Sequence, residues 1–342
     1  MNLNTFHAIA KWAVLLALVV VLLGAYTRLS DSGLGCPDWP GCYGELTVPG
    51  SEADVEHKHY LEQRPLETSK AWAEMVHRYF AGTLGLVILA LSVIAIANRK
   101  DPKQPVVLPL VLLALVIFQA LLGMWTVTLM LKPVVVMGHL LGGLSTLALL
   151  AWLALRTGPV KPLPDNRTLA SLRGLALLAL ILVAVQIALG GWTSANYAAR
   201  ACGSQYPLCL GQWWPAEMDF RSALTIWTGL GRDYEFGTHL SEMAKVAIQM
   251  LHRLGAIVVF LVVGWLVLRL VANGVNRSAR NIGFLVGVLL LAQLALGMSN
   301  LWFDLPLPVA TAHNGTGALL LLSMVLLNHA LRPRKQGRAR SS

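Results

Sequence analysis

Residues Glu74–Asn98 read EMVHR followed by YFAGTLGLVILALSVIAIAN: a polar head with one histidine, then an uncharged run, Tyr79–Asn98. A helix needs roughly 20 apolar residues to cross the hydrocarbon of a bilayer. In lipid, such a segment satisfies its own backbone hydrogen bonds only as a helix. The head recurs as QMLHR at Gln249–Arg253, again opening an apolar stretch. Each copy is followed by a second histidine at the head of another apolar run. His77 and His139 are 62 residues apart, and His252 and His313 are 61 apart.

Uncharged runs also cover Trp12–Thr27, Gln104–Leu131, Pro133–Leu155, Gly174–Ala199, Leu254–Leu268, Asn281–Phe303 and Leu305–Leu331. The first of these and Leu254–Leu268 reach spanning length once a flanking turn is added. The expected fold is therefore an all-α integral membrane protein with eight transmembrane helices. The composition agrees: 56% of residues are hydrophobic and 13% charged, against roughly 25% charged in a soluble domain. The first run has one positive charge, Lys11, and no small-x-small cleavage site where it ends, so it reads as a retained helix rather than a signal peptide.

Orientation follows from the loops. Lys11, Arg99, Lys100, Lys103, Arg156, Lys161, Arg167, Arg173, Arg269, Arg277, Arg280, Arg332, Arg334, Lys335, Arg338 and Arg340 fall on one side, with only Asp101 and Asp165 against them. The positive-inside rule places both termini in the cytoplasm. The net charge of +10 is then a topology signal, and no nucleic-acid partner is implied.

The chain repeats itself. Gly24-Ala25-Tyr26-Thr27 ends the first segment and Gly190-Gly191-Trp192-Thr193 the fifth, and each leads into an outer loop with two cysteines. A His-Arg segment follows, then a segment with Gln-x-x-Leu-Gly (Gln119–Gly123, Gln293–Gly297), then the second histidine; Gln119 to His139 and Gln293 to His313 are both 20 residues. Gln186–Gly190 is a further copy on the fifth segment. Four segments per half make this a parallel repeat: two four-helix bundles, residues 1–160 and 161–342. All four histidines are expected near the outer ends of their helices, flanked by small residues that permit close packing.

Histidine inside a bilayer is costly and marks a functional candidate. Two imidazoles on facing helices of a bundle suit ligation of heme iron. Two histidines per half are too few for zinc, and there is no Cys-x-x-Cys-His for covalent heme. Simple packing histidines are the competing reading, which four in register across a duplication disfavour. Glu74 stands one turn before His77, where the second half has Gln249; it reads either as a catalytic carboxylate or as an acid at a helix N-terminus. Arg78 and Arg253 serve a shared need, a heme propionate or snorkelling to the interface. Cys36 with Cys42 and Cys202 with Cys209 are expected to form two disulfides in an oxidising compartment, as staples or as thiol redox pairs. His7, His57, His59, His239 and His329 are weaker candidates. The polar outer loop 47–68 has no assigned role.

These residues resemble the heme A synthase family. The resemblance spans nearly the whole chain. It rests on Glu74–Arg78, His252–Arg253, His139, His313, the run GAYTRLSDSGLGC at Gly24–Cys36, and the paired loop cysteines. It implies oxidation of the C8 methyl of heme O to a formyl group, for cytochrome oxidase assembly, in a bacterial plasma membrane. His77 and His139 would take the substrate heme, and His252 and His313 a heme b. Glu74 matches the family's functionally important acid. Heme O, membrane lipid, a heme O synthase and an unidentified electron donor are the implied partners. A diheme electron-transfer cytochrome and a heme carrier remain the alternatives.

Overall fold

The computed structural model describes residues 3–160, 162–164, 166–227, 229–230, 234–272 and 277–333. Among them, eight helices are long and apolar enough to cross a membrane: α1 (Leu3–Leu29), α2 (Thr68–Ala97), α3 (Val107–Thr128), α4 (Pro133–Thr157), α5 (Arg173–Ala195), α6 (Glu242–Ala272), α7 (Arg277–Trp302) and α8 (Leu307–Leu331). The chain is a multi-pass membrane protein. Its only β-pairing among the described residues is two isolated bridges, Cys42 with Glu45 and Cys209 with Gln212. Lys161, Asp165, Arg334, Lys335, Arg338 and Arg340, counted above for orientation, lie outside the described residues.

The helices outrun the uncharged stretches where polar turns stay helical. Leu254–Leu268 lies within α6, which begins at Glu242, where Lys245 pairs with Glu242 at 3.0 Å across one turn. Helix α2 begins at Thr68, nine residues before His77. Water satisfies the first backbone N–H groups of such ends, so the charged turns cost little. Helices α4 and α8 instead start at prolines, Pro133 directly and Pro306 just before Leu307. Proline there removes a donor that would be orphaned anyway.

Helix α1 packs on α2 and α4, and α3 packs on the same two; α6 packs on α5 and α7, and α8 on those two. Contacts between the two sets run through α1, α4, α5 and α8. Helix α8 carries Asn314, Ser323, Asn328 and His329, and half of its apolar window is buried within the protein, more than in any other span. A helix enclosed by neighbours tolerates polar groups that lipid would not: Asn328 donates to Ala176 O at 3.0 Å and Ser323 to Leu320 O at 2.7 Å.

On the side that carries the cysteine loops, polar contacts join the halves. Arg28 donates to Ser194 O at 2.6 Å and lies 4.1 Å from the Tyr197 ring centre. Arg64 pairs with Glu235 at 2.5 Å. Lys132, 1% exposed, donates to Gly229 O at 3.3 Å and sits 3.7 Å over Trp227.

Candidate active site

The four histidines adopt one pose. A Cβ built on Gly24 of α1 would stand 2.8 Å from His77 Cε1; on Gly123 of α3, 3.3 Å from His139 Cε1; on Gly190 of α5, 2.9 Å from His252 Cε1; on Gly297 of α7, 3.1 Å from His313 Cε1. Each odd-numbered helix therefore offers a glycine that receives the ring edge of the histidine on the next helix. Gly24 and Gly190 open the matched runs Gly24–Thr27 and Gly190–Thr193, and Gly123, Gly190 and Gly297 close Gln-x-x-Leu-Gly. The Leu-Gly pair at the end of every one (Leu23, Leu122, Leu189, Leu296) was the available signal. Its meaning needs the pairing of two helices and is invisible along either alone.

His77 and His139 face each other with ring centres 6.3 Å apart and planes at 86°. A metal–imidazole bond is roughly 2 Å; two bonds in line, plus about 1 Å from each nitrogen to its ring centre, span roughly 6 Å. The pair thus fits an iron between the two rings. Nδ1 of His77, His139 and His313 is buried without a partner. Since buried polar atoms are normally satisfied, these nitrogens fit ligation as well. His313 lies within electrostatic range of His252, and His252 Nδ1 is 3.0 Å from Gln186 Nε2.

One turn toward the N-termini of α2 and α6, each site is covered by its cysteine loop. Both disulfides form, Cys36–Cys42 and Cys202–Cys209. In the first half Glu74 Oε2 accepts the Cys36 N–H at 2.9 Å, and Glu74 Oε1 meets Arg78 Nη2 at 2.5 Å. Arg78 Nη1 donates to the carbonyls of Asp38 at 3.0 Å, Pro40 at 3.3 Å and Gly41 at 2.5 Å. In the second half Gln249 Oε1 accepts the Cys202 N–H at 2.6 Å, and Arg253 donates to Leu208 O at 3.0 Å and Gln205 O at 2.9 Å. The residue three before each histidine thus holds the loop's first cysteine, and the arginine after it gathers loop carbonyls. The loop use of both arginines is a contact that sequence reading did not foresee. The loops rest on matching helix positions: Ala71 and Met75 under the first, Val246 and Met250 under the second.

The other histidines stand apart. His57 and His59 lie beside Tyr60 in the segment before α2, exposed. His7 and His329 lie near the opposite helix ends, His7 3.4 Å from Thr157 Oγ1 and His329 3.3 Å from Val160 O. His239 meets Asn196 Oδ1 at 3.2 Å.

The family model of the cytochrome oxidase assembly protein COX15-CtaA matches residues 8–325. A protein named heme A synthase from Shewanella oneidensis is 44% identical over 315 residues, 92% of this chain and 93% of that one. Proteins of the same name from Rhizorhabdus wittichii and Agrobacterium fabrum are 27% and 29% identical, covering 95% and 88% of this chain and 94% and 83% of theirs.

Proposed function

The chain belongs to the COX15-CtaA family of cytochrome oxidase assembly proteins, and on that premise we propose how its two histidine pairs divide the work. The protein is a heme A synthase: a membrane oxidoreductase that converts heme O to heme A for cytochrome oxidase assembly. The observation that carries the division is the pair of facing imidazoles, His77 and His139, beneath a loop held by a carboxylate in one half and by an amide in the other.

The N-terminal half, residues 1–160, takes heme O between His77 and His139. The C-terminal half, residues 161–342, holds a heme b between His252 and His313, where it supplies one-electron redox chemistry. The open flank supports this order. A Cβ on Gly82 or Gly85 of α2 would meet nothing within 4 Å. The matching positions of α6, five and eight residues after its histidine, are filled by Ile257 and Phe260. A substrate with a long isoprenoid tail needs a lateral way in from lipid, and the small residues leave that face of α2 uncovered.

Glu74 is the catalytic acid of this reading. Both its oxygens are already engaged, but a carboxylate accepts about four hydrogen bonds. It therefore keeps lone pairs free to take a proton or to stabilise positive charge at the oxidised methyl. Arg78 pairs with that buried carboxylate and pins the loop over the site. Arg253 does the same pinning over a neutral partner. Arg78 and Arg253 also stand where heme propionates would lie if these point toward the loops. The Glu74/Gln249 difference favours an enzyme over a pair of equal electron-transfer sites.

Both termini lie in the cytoplasm of a bacterial plasma membrane and the histidines near the outer surface, from the distribution of Lys and Arg. A heme O synthase and a separate electron donor complete the system. Purified His252→Ala and His313→Ala proteins should lack the resident heme while His77→Ala retains it. The reverse pattern would exchange the roles of the halves.

A further inference from the structure

Arg28 continues the buried face of α1. Phe6, Ala10, Ala13 and Ala17 are buried along that face, and Gly24, one turn before Arg28, receives the edge of His77. Residues four apart share a helix face. Arg28 therefore stands beside the His77 site, roughly 6 Å further along the axis, on the side of the cysteine loops. Its side chain is 16% exposed and reaches into the other half. Nη2 donates to Ser194 O at 2.6 Å, and the guanidinium lies 4.1 Å from the Tyr197 ring centre.

Two donors at this contact have no acceptor. Arg28 Nε and the Tyr197 hydroxyl are both buried and without a hydrogen-bond partner, whereas buried polar groups are normally satisfied. The charge is also weakly met: the carboxylate of Asp31 is 3.6 Å from Nη1, beyond hydrogen-bond distance, and is 42% exposed. The repeat makes the site single. In the register that matches Gly24 to Gly190, Arg28 corresponds to Ser194 and Asp31 to Tyr197. Asp31 and Tyr197 share a left-handed backbone, φ 50° and 53°, so one turn follows both helices, yet only the first half places an arginine before it.

We propose that Arg28 and Tyr197 bind a propionate of the substrate heme. The proposal rests on the reading above, in which heme O sits between His77 and His139. Two orphaned donors, one of them cationic, call for an acceptor that carries negative charge and several lone pairs, which a carboxylate supplies. Heme O carries two carboxylates on one edge of the macrocycle. With that edge toward the cysteine loops, one of them meets Arg28, and the isoprenoid tail is left to the lipid side.

The test uses purified full-length protein with its resident heme. It is titrated in detergent with heme O and with heme O dimethyl ester, which keeps the iron and the tail and lacks both carboxylates. Wild type should bind the acid more tightly than the ester. In Arg28→Gln that preference should shrink by roughly 10–100-fold, the scale of a hydrogen bond to a charged group. Tyr197→Phe removes only the hydroxyl and keeps the ring against the guanidinium. It should shrink the preference less, and it decides the matter if Arg28→Gln does not fold. The content and spectrum of the resident heme should be unchanged in both. A preference equal to wild type in either folded variant would overturn this inference alone. Loss of the resident heme instead would assign the carboxylate to that heme and overturn it too. A wild-type protein with no saturable binding of heme O would overturn the functional reading and this inference with it.

Discussion

Glu74 Oε2 accepts the backbone N–H of Cys36 at 2.9 Å. Gln249 makes the same bond to Cys202 at 2.6 Å. The protein thus contains its own isosteric control: an amide holds the loop as a carboxylate does. Glu74→Gln should therefore fold, keep the Cys36–Cys42 loop in place and retain resident heme. It should lose conversion of heme O by roughly 10²-fold or more, the scale of an acid–base group. Chromatography of extracted heme reads the first quantity and thermal unfolding in detergent the second. Glu74→Ala should lose both. Gln249→Glu, which gains Arg253 as a partner one turn on, should leave activity close to wild type.

Arg78 neutralises a carboxylate that is 5% exposed. Removing one partner of a buried ion pair costs roughly 3–5 kcal/mol, because the other charge is stranded. Arg78→Met should lower the unfolding midpoint sharply. Adding Glu74→Gln to Arg78→Met should recover part of that loss, since no charge is then stranded. Strict additivity of the two substitutions would contradict the pairing.

Gly24 and Gly190 receive histidine edges with no room for a methyl group, at 2.8 and 2.9 Å. Overpacking costs about 1–3 kcal/mol, and here it displaces a ligand. Gly190→Ala should purify with little resident heme. Gly24→Ala should keep that heme and fail to bind heme O. Heme stoichiometry of the two proteins, measured side by side, checks the assignment of halves.

The contact between Lys132 and Trp227 fastens the two halves at the cysteine-loop side. Trp227 is 68% exposed, and a cation–π pair at an exposed site is worth about 0.5–1 kcal/mol. Trp227→Ala should release the segment around Gly229, seen as faster proteolysis there, with the resident heme's spectrum unchanged.

Much of this was legible in the sequence, for identifiable reasons. Lipid enforces long uncharged helices, so the eight spans follow from runs such as Tyr79–Asn98. The histidine pairs follow from a duplication whose internal spacings match. Span ends were less legible, because Thr68–Lys70 and Glu242–Lys245 stay helical in water as readily as in lipid. The uses of Arg78 and Arg253 were hidden for a different reason. Propionate binding and snorkelling both suit an arginine near an interface, whereas the observed partners are backbone carbonyls of Asp38, Pro40, Gly41, Gln205 and Leu208. Those positions depend on how each disulfide loop folds over its helix. The Gly24–His77 contact and its three counterparts likewise need two helices in register. No periodicity along one helix reports them.

The central claim is that this chain oxidises heme O at the His77–His139 site with Glu74 as its acid. The most direct measurement is to express the full-length protein in cells supplied with a heme O synthase, extract the hemes and identify them by chromatography and mass. Wild type should yield heme A, with hydroxylated heme O accompanying it, and Glu74→Gln should yield unconverted heme O beside heme b. Heme b and heme O alone from the wild type, or undiminished heme A from Glu74→Gln, would contradict the account.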